Sequence, residues 1–369
     1  MRKILHIVGT MDRAGAETMV MNLYRAIDKT KYQFDFVYFT ERTCSYDEEI
    51  IALGGTIYRI PEKYNKSPLL RTFKLFKLIK ANKPFYAIHC HQLLGNSFHL
   101  TAAYFSRVNK RIAHAHSTRD FNDNSLIRCL YQNFSRKIIS LFATDFIACG
   151  KAPGKFLFPN QKNITFIPNA IDVPKFLESK NKRKESFFNN ININDKTIVL
   201  SQIGRFMPVK NHEFSVNFAS FLKDNGIDFH LNFVGSGYLE SEIKEIVTKK
   251  GLSNYISFLG VKENINMILA NTDVLLMPSI YEGFPVILVE SQAAGVPALI
   301  SKGISKEVDL GLNLIYFCDL EASYNTWHEL VNTIIQKPLI SANKRHKVLR
   351  EKGYDIEVSV KLLEKVYSK

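Results

Sequence analysis

Short runs of residues that are apolar on both faces recur along the chain and alternate with stretches of helical periodicity, and this alternation limits the fold more than any other feature. Strands apolar on both faces need a helical layer on each side, and strand–helix alternation joins them in parallel through right-handed crossovers. The first series of predicted strands is Lys3–Val8, Phe34–Phe39, Thr56–Ile60, Ala87–His91, Arg111–His116, Asp145–Cys149 and Ile164–Ile167. Helical patterns fall between them at Ala16–Ile27, Asp47–Leu53, Leu69–Ala81, Ser97–Arg107 and Leu126–Phe142. A polar stretch, Glu178–Asp195, rich in Lys, Asn and Ser, breaks the pattern and reads as a linker or surface excursion. The alternation then restarts, with strands at Thr197–Ile203, His230–Val234, Ile256–Leu259, Val274–Met277, Ala298–Ile300 and Leu314–Phe317, and helices at His212–Lys223, Leu239–Lys250, Ile265–Ala270 and Pro285–Ala294. The expected fold class is therefore α/β, with two Rossmann-like doubly wound parallel-sheet domains, residues 1–170 and 171–352. The last segment, 353–369, is expected to be helical and to pack back on the first domain. Ligands of such sheets bind beyond the carboxyl ends of the strands, so two domains facing each other would share one cleft.

A chain of 369 residues suits two cores better than one. No apolar run reaches the roughly 18–20 residues of a membrane span. Met1-Arg2-Lys3 leads straight into Ile4-Leu5-His6-Ile7-Val8 with no small-residue cleavage site after it, which reads as a first strand and not a signal peptide. Cys44, Cys90, Cys129, Cys149 and Cys318 are odd in number and widely spaced, with no Cys-x-x-Cys pair, an arrangement that argues against a disulfide framework or zinc site and fits a reducing cytoplasm. The net charge of +14 is lopsided: residues 1–170 hold 25 Lys and Arg against 12 Asp and Glu, a net of +13. That half is expected to meet an anionic surface or to present a solvated basic face.

The sharpest motif is Tyr281-Glu282-Gly283-Phe284-Pro285-Val286-Ile287-Leu288-Val289-Glu290, which follows a predicted buried strand. Pro285 suits the first position of a helix and Gly295 its C-terminal cap. Amides near Gly283, Phe284, Pro285 and Val286 then form a helix N-terminus that can cradle phosphate. Glu282 lies just before the helix and Glu290 further in, so two carboxylates can hold different parts of one elongated ligand. A second motif, Gly204-Arg205 followed by Lys210, sits after another predicted strand and puts two cations where an anionic ligand can be neutralised.

The Glu-x7-Glu pattern resembles the retaining glycosyltransferases of family 4 with the GT-B fold, and the resemblance covers essentially the whole chain. Gly15-Ala16-Glu17-Thr18-Met19-Val20-Met21-Asn22-Leu23 is similar to bacterial exopolysaccharide or capsule glycosyltransferases. The resemblance implies that Glu282 contacts the donor sugar, Glu290 the nucleotide ribose, and Arg205 and Lys210 the diphosphate. It also implies that Gly235 of Gly235-Ser236-Gly237 lines the diphosphate site and that Gly260 and Val261 end the base-reading strand. His116, the residue nearer the strand end in Arg111-Ile112-Ala113-His114-Ala115-His116-Ser117, matches the family's histidine near the donor sugar and acceptor. His114 is then expected to be core or supporting, and His89 and His91 to pack. A metal reading of His114 and His116 with His89 and His91 is set aside, because no carboxylate cluster accompanies them; no metal or other cofactor is expected. The loop Gly9–Glu17 has Ala14 where the family carries a first glycine, and Gly15 is kept; Ala170 likewise stands for a glycine in Pro168-Asn169-Ala170-Ile171-Asp172.

The resemblance implies transfer of a hexose or N-acetylhexosamine, with retention, from a nucleotide-diphosphate sugar, UDP preferred, to a lipid-linked or saccharide acceptor. Catalytic roles fall to Glu282, His116, Arg205 and Lys210. The rivals are a non-catalytic sugar-nucleotide scaffold and a sugar-nucleotide epimerase. Ser67–Lys80 interleaves apolar residues with Arg71, Lys74, Lys77 and Lys80, as a helix lying on the anionic inner face of a membrane would, or an ordinary helix with a solvated basic face. The expected setting is cytoplasmic with peripheral membrane contact. No nucleic-acid partner is expected, since no basic motif interleaved with aromatics is present.

Overall fold

The computed structural model describes residues 1–117, 125–177, 193–194 and 196–368. The polar stretch Glu178–Asp195 lies outside the described residues except at 193–194. The chain forms two units: Met1–Ile171 together with Ile356–Lys369, and Asp172–Asp355.

The first unit runs β1 (Arg2–Ile7), α1 (Gly15–Ala26), β2 (Tyr32–Tyr38), α2 (Asp47–Ala52), β3 (Ile57–Arg59), α3 (Pro68–Ala81), β4 (Ala87–Cys90), α4 (Asn96–Phe105), β5 (Lys110–Ala115), α5 (Leu126–Phe142), β6 (Asp145–Ala148), α6 (Lys151–Leu157) and β7 (Ile164–Phe166). Its seven strands are parallel, in the order β3-β2-β1-β4-β5-β6-β7. The central strand β1 pairs Ile4 with Phe34 on one side and with Ala87 on the other. Its inner residues are wholly buried, as a strand between two helical layers must be.

The second unit runs α7 (Pro174–Leu177), β8 (Ile198–Ile203), α8 (His212–Asp224), β9 (Phe229–Val234), α9 (Glu240–Lys249), β10 (Ile256–Phe258), α10 (Ile265–Ala270), β11 (Val274–Met277), α11 (Val286–Ala294), β12 (Ala298–Ser301), β13 (Ile315–Cys318), α12 (Tyr324–Ile335) and α13 (Ala342–Glu351). Its strands are ordered β10-β9-β8-β11-β12-β13, again all parallel. In both sheets the order reverses beside the first strand, which creates the switch point where such folds bind ligands.

The chain leaves the first unit at Ile171 and re-enters at Ile356, whose N–H donates to the Ile171 carbonyl at 2.9 Å. The last helix, α14 (Ile356–Ser368), then packs on α1 and buries Val360, Leu363, Val366 and Tyr367 in a core shared with Tyr24, Tyr32 and Phe34. The second unit thus ends at Asp355 and not at 352.

Helices α6, α7, α12 and α13 fall where no helix is predicted. For α13 the reason is visible: its sequence ANKRHKVLRE is nearly all polar, and it docks through Leu349 and a buried guanidinium. Arg345 donates to the carbonyls of Ala293, at the end of α11, and Ile340, so the anchor is a cation at a helix C-terminus.

Candidate functional site

The second unit carries the Arg205–Lys210 and Glu282–Glu290 motifs. The loops leaving β8 and β9 are pressed together. Gly204 N–H donates to the Val234 carbonyl at 2.9 Å and Phe206 N–H to the Ser236 carbonyl at 3.1 Å. A Cβ on Gly235, at φ +138°, would lie 2.1 Å from the Gly204 oxygen, and one on Gly237 would lie 2.4 Å from the Phe206 oxygen. Both glycines are therefore demanded by the neighbouring strand's own backbone. Gly235 N–H reaches the Gly260 carbonyl at 2.9 Å, and Val261 beside it is exposed.

Past Gly204 the chain bends through Arg205 and a 3₁₀ turn at Pro208–Lys210 into Asn211, which is left-handed. Gln202 holds this turn, donating to the Lys210 carbonyl at 2.8 Å while Ser215 Oγ donates to its Oε1 at 2.6 Å. Ile280 N–H, in the loop after β11, donates to the Val209 carbonyl at 2.8 Å. The two loops bring the Lys210 ammonium into an ion pair with the Glu282 carboxylate, and the Lys210 chain lies over Gly204. Arg205 is exposed and makes no ion pair among the described residues.

Glu282 is fixed from its other side. It bridges to Ile304, and Ser305 N–H donates to its carbonyl at 3.2 Å. Gly303 permits this approach, since a Cβ there would sit 2.1 Å from the Ile280 oxygen. Sequence reasoning placed Gly237 in the Gly-x-Gly motif but missed Gly303 and Gln202. Gly303 was legible as a small residue just past a strand end; Gln202 carried no signal, since its role depends on a turn eight residues away.

The helix after Glu282 begins at Val286, one residue later than predicted. Pro285 is its N-cap, at φ −72° and ψ 123°, because extended geometry there leaves its carbonyl free to accept from Leu288 N–H at 3.1 Å. No side chain caps the first turn among the described residues, so it keeps the donors of an anion site. Gly283 has open space around its Cα, and the Phe284 ring stacks on Tyr354 with centroids 5.4 Å apart. Gly295 at φ +72° caps the far end, as predicted.

Glu290 lies on α11, which packs on α7. Burial pushes its carboxyl from 4.5 up to about 7, partly offset by the Lys175 ammonium. The folded state therefore holds a proton that the unfolded chain releases between these values. Its stabilising contribution is full below 4.5 and is lost as pH rises towards about 7. Replacing Glu290 with Gln is expected to flatten the pH dependence of stability over that window, measured as denaturant midpoints at several pH values; an unchanged slope would place the titration elsewhere.

The first unit carries the Gly15 loop and the strand that leads to His116. A cavity of about 180 Å³ opens where β1 and β4 end, lined by Val8, Gly9, Thr10, Glu17, His91 and Gln92 among others. A larger hollow of about 940 Å³ lies around Arg2, Lys3, Tyr86 and Lys110, at the end where strands begin, away from the ligand side of the fold. Ala14 is extended, at φ −136° and ψ 172°, so alanine serves there as well as glycine, and Gly15 opens α1 with open space around its Cα.

Beneath His91, which lines this cavity, the structure corrects the expectation that His89 and His91 simply pack. His6, His89, His91, His114 and His116 lie side by side on β1, β4 and β5 or just past their ends, and their nitrogens bond one another. His116 Nε2 meets His91 Nδ1 at 2.8 Å, His91 Nε2 meets His6 Nδ1 at 3.0 Å, and His89 Nε2 meets His114 Nδ1 at 3.2 Å. Tyr367 Oη lies between, 2.9 Å from His89 Nδ1 and 3.5 Å from His6 Nε2. Burial holds all five imidazoles below their usual range, His116 at about 4, so they are neutral. Among the described residues two trios, His6–His89–His91 and His91–His114–His116, each offer nitrogens within 4.8 Å of one another. Neutral imidazoles suit a zinc-like ion, but here they face one another in hydrogen bonds.

Comparison with known proteins agrees with this geometry. Residues 13–175 match the model of Glycosyltransferase Family 4 and residues 183–354 that of Glycosyl transferases group 1. The chain is 36% identical to the putative glycosyltransferase EpsF of Bacillus subtilis, over 100% of this chain and 96% of that one. It is 24% identical to the capsular polysaccharide biosynthesis glycosyltransferase CapH of Staphylococcus aureus, over 100% and 99%. It is 29% identical to the UDP-Gal:α-D-GlcNAc-diphosphoundecaprenol α-1,3-galactosyltransferase of Escherichia coli, over 58% and 56%. Its fold superposes on Anabaena HepE, solved with UDP and glucose, with a TM-score of 0.76 at 16% identity over the whole of both chains. With matching models on both units, parallel-sheet architecture in each and a full-length relative above 30% identity, the chain belongs to the group 1, family 4 glycosyltransferases of GT-B fold.

Proposed function

We propose that this glycosyltransferase moves a hexose or N-acetylhexosamine from a nucleotide-diphosphate sugar, UDP preferred, onto a lipid-linked or saccharide acceptor during polysaccharide assembly, and that it keeps the anomeric configuration. The observation that carries the reading is the meeting of Lys210, Glu282 and the uncapped start of α11, with Arg205 in the same loop as Lys210. The named activities of the CapH and E. coli relatives support the polysaccharide context, the UDP donor and the lipid-linked acceptor.

In this mechanism Arg205, Lys210 and the first amides of α11 bind the diphosphate, where negative charge grows as the bond from the anomeric carbon to phosphate oxygen breaks. Lys210 exchanges its pairing with Glu282 for the phosphates, and Glu282 is released to accept from sugar hydroxyls. Glu290 accepts from the ribose. The acceptor oxygen bonds the anomeric carbon on the face the diphosphate leaves, and its proton passes to a departing phosphate oxygen. No step needs a metal ion or cofactor.

A membrane-facing surface fits the first unit, though not in the form expected. Arg71 folds over the Phe39 ring, 4.7 Å from its centroid, and Leu75 and Ile79 form the buried side of α3. The outward side carries Leu69, Leu70 and Phe73 beside Lys74 and Lys77. Helix α5, which joins α3 and α4 in one layer, exposes Leu126, Ile127, Leu130, Phe134 and Leu141. No helix among the described residues is long and apolar enough to cross a membrane. Apolar side chains in a basic layer are what a protein resting on anionic lipid presents, at the cytoplasmic face in this reading.

One assay tests both parts: nucleoside diphosphate release from UDP- and GDP-sugars, with and without anionic vesicles carrying a bacterial lipid extract. Release from one donor, raised by the vesicles, is expected. Donor binding without release under every condition would favour a non-catalytic scaffold. Replacing Leu126, Ile127 and Leu130 together by Ser is expected to weaken vesicle binding at least about tenfold and to leave release from donor alone unchanged; equal binding would remove α5 from the membrane contact.

A further inference from the structure

The cavity of about 180 Å³ in the first unit stands where its sheet order reverses, between the carboxyl ends of β1 and β4, which is where sheets of this kind hold a ligand. Its walls are preformed. The loop after β1 is pinned at three points. Phe39 N–H donates to the Gly9 carbonyl at 3.1 Å, Tyr46 N–H donates to the Met11 carbonyl at 3.1 Å, and the Asp12 carboxylate pairs with Arg42 while accepting from Ser45 N–H at 3.3 Å. Met11 is wholly buried, which anchors the loop in the core.

The lining decides the chemistry of the ligand. Val8, Ala16 and Val20 give apolar wall, and His91 has one nitrogen bonded to His116 and the other to His6. Hydrogen bonding to a ligand therefore falls to Thr10, Glu17 and Gln92. The Thr10 hydroxyl and the Gln92 side-chain amide make no hydrogen bond among the described residues. The amide lies against Gly9, where a Cβ would come within 2.6 Å of its nitrogen. A carboxylate, an amide and a hydroxyl beside apolar wall are what grips sugar hydroxyls while the C–H face of the ring packs. A phosphate suits the cavity badly, although α1 begins beside it. Glu17, in the first turn of that helix, brings a carboxylate to the same space, and no Lys or Arg is among the described residues that line it.

We propose that this cavity seats one uncharged sugar ring, the terminal ring of the acceptor, and that Glu17 and Gln92 are the residues that select it. The proposal rests on the reading of the chain as a transferase to a saccharide or lipid-linked acceptor, and it adds which part of that acceptor the first unit holds: a sugar ring and not a phosphate. Selectivity follows from the lining, since a pocket that hydrogen-bonds hydroxyls rejects a ring lacking one far more strongly than an apolar pocket rejects a missing methylene.

Saturation-transfer NMR on the full chain tests this, with methyl glycosides of hexoses and N-acetylhexosamines as probes and inorganic pyrophosphate as the anionic competitor. Transfer to the ring protons of at least one glycoside is expected, undisturbed by pyrophosphate. Glu17→Gln, which keeps the shape and removes the charge, is expected to weaken that glycoside about tenfold, the size of one hydrogen bond to a charged group. Gly9→Ala is expected to weaken it as well, because the added carbon crowds only the far end of the Gln92 side chain and so displaces the amide without straining the fold. Circular dichroism is expected to be unchanged in both variants. Binding of no glycoside overturns the proposal, as does equal affinity in both folded variants. Displacement of the glycoside by pyrophosphate, with tighter pyrophosphate binding to Glu17→Gln, also overturns it and makes the cavity an anion site. Failure of the transferase reading is a separate result: no nucleoside diphosphate release from any donor, whatever the glycosides do.

Discussion

Replacement of Glu282 by Ala is expected to lower nucleoside diphosphate release on the order of 10²–10³-fold, the loss that follows removal of one preorganised polar group from an active site. Two effects are expected of the change. In the proposed mechanism it removes the acceptor offered to the sugar, and in the structure it frees the Lys210 ammonium, whose carboxylate partner it is. Those effects separate in a cycle. Lys210→Met alone weakens the hold on the diphosphate and leaves Glu282 unpaired, and the double variant is expected to lose far less than the product of the two singles, because both act through one pair. Strict additivity would show that the pair has no part in turnover, and wild-type release from the Glu282→Ala protein would end the assignment of the sugar site to this loop.

Gly235→Ala is expected to destabilise the second unit by about 3 kcal/mol or more, at the upper end of what a strained backbone position costs. Two penalties coincide there: φ of +138° and a Cβ placed 2.1 Å from the Gly204 oxygen. Gly260→Ala is the control. Its φ is +67° with nothing within 4 Å of the added carbon, so it bears only the conformational penalty of about 1 kcal/mol. Denaturant unfolding monitored at Trp327, buried in the core of the same unit, reads both. Equal losses would mean that β8 and β9 separate easily at their ends; a large gap would identify the backbone contact as what holds Arg205 and Lys210 in place.

Much of this was legible because strand signals are local. Every predicted strand exists, since β1 or β11 must be apolar on both faces whatever surrounds it. The Lys210 and Glu282 loops were singled out for the same reason, since both follow strand ends in a fold that puts its ligands there, and the structure brings the two loops together. What escaped depended on partners far along the chain. Helix α13 has little apolar periodicity and is held by Arg345 reaching a helix end 52 residues away. Gly303 is required by the carbonyl of Ile280 in another loop. His89 and His91 looked like packing residues because only the register of three strands and a tyrosine 278 residues distant shows that their nitrogens are joined.

The point where Ile356 N–H meets the Ile171 carbonyl makes the second unit a guest inserted in the first. On the ribosome, strands β1 to β7 are complete before the guest is made, yet the helix that seals them follows the whole of the guest in the chain. Until then Tyr32, Phe34 and the buried histidines lack Tyr367, and the host waits with an unsealed core while nearly two hundred further residues are synthesised. The core of the first unit therefore closes only after the second unit has been made.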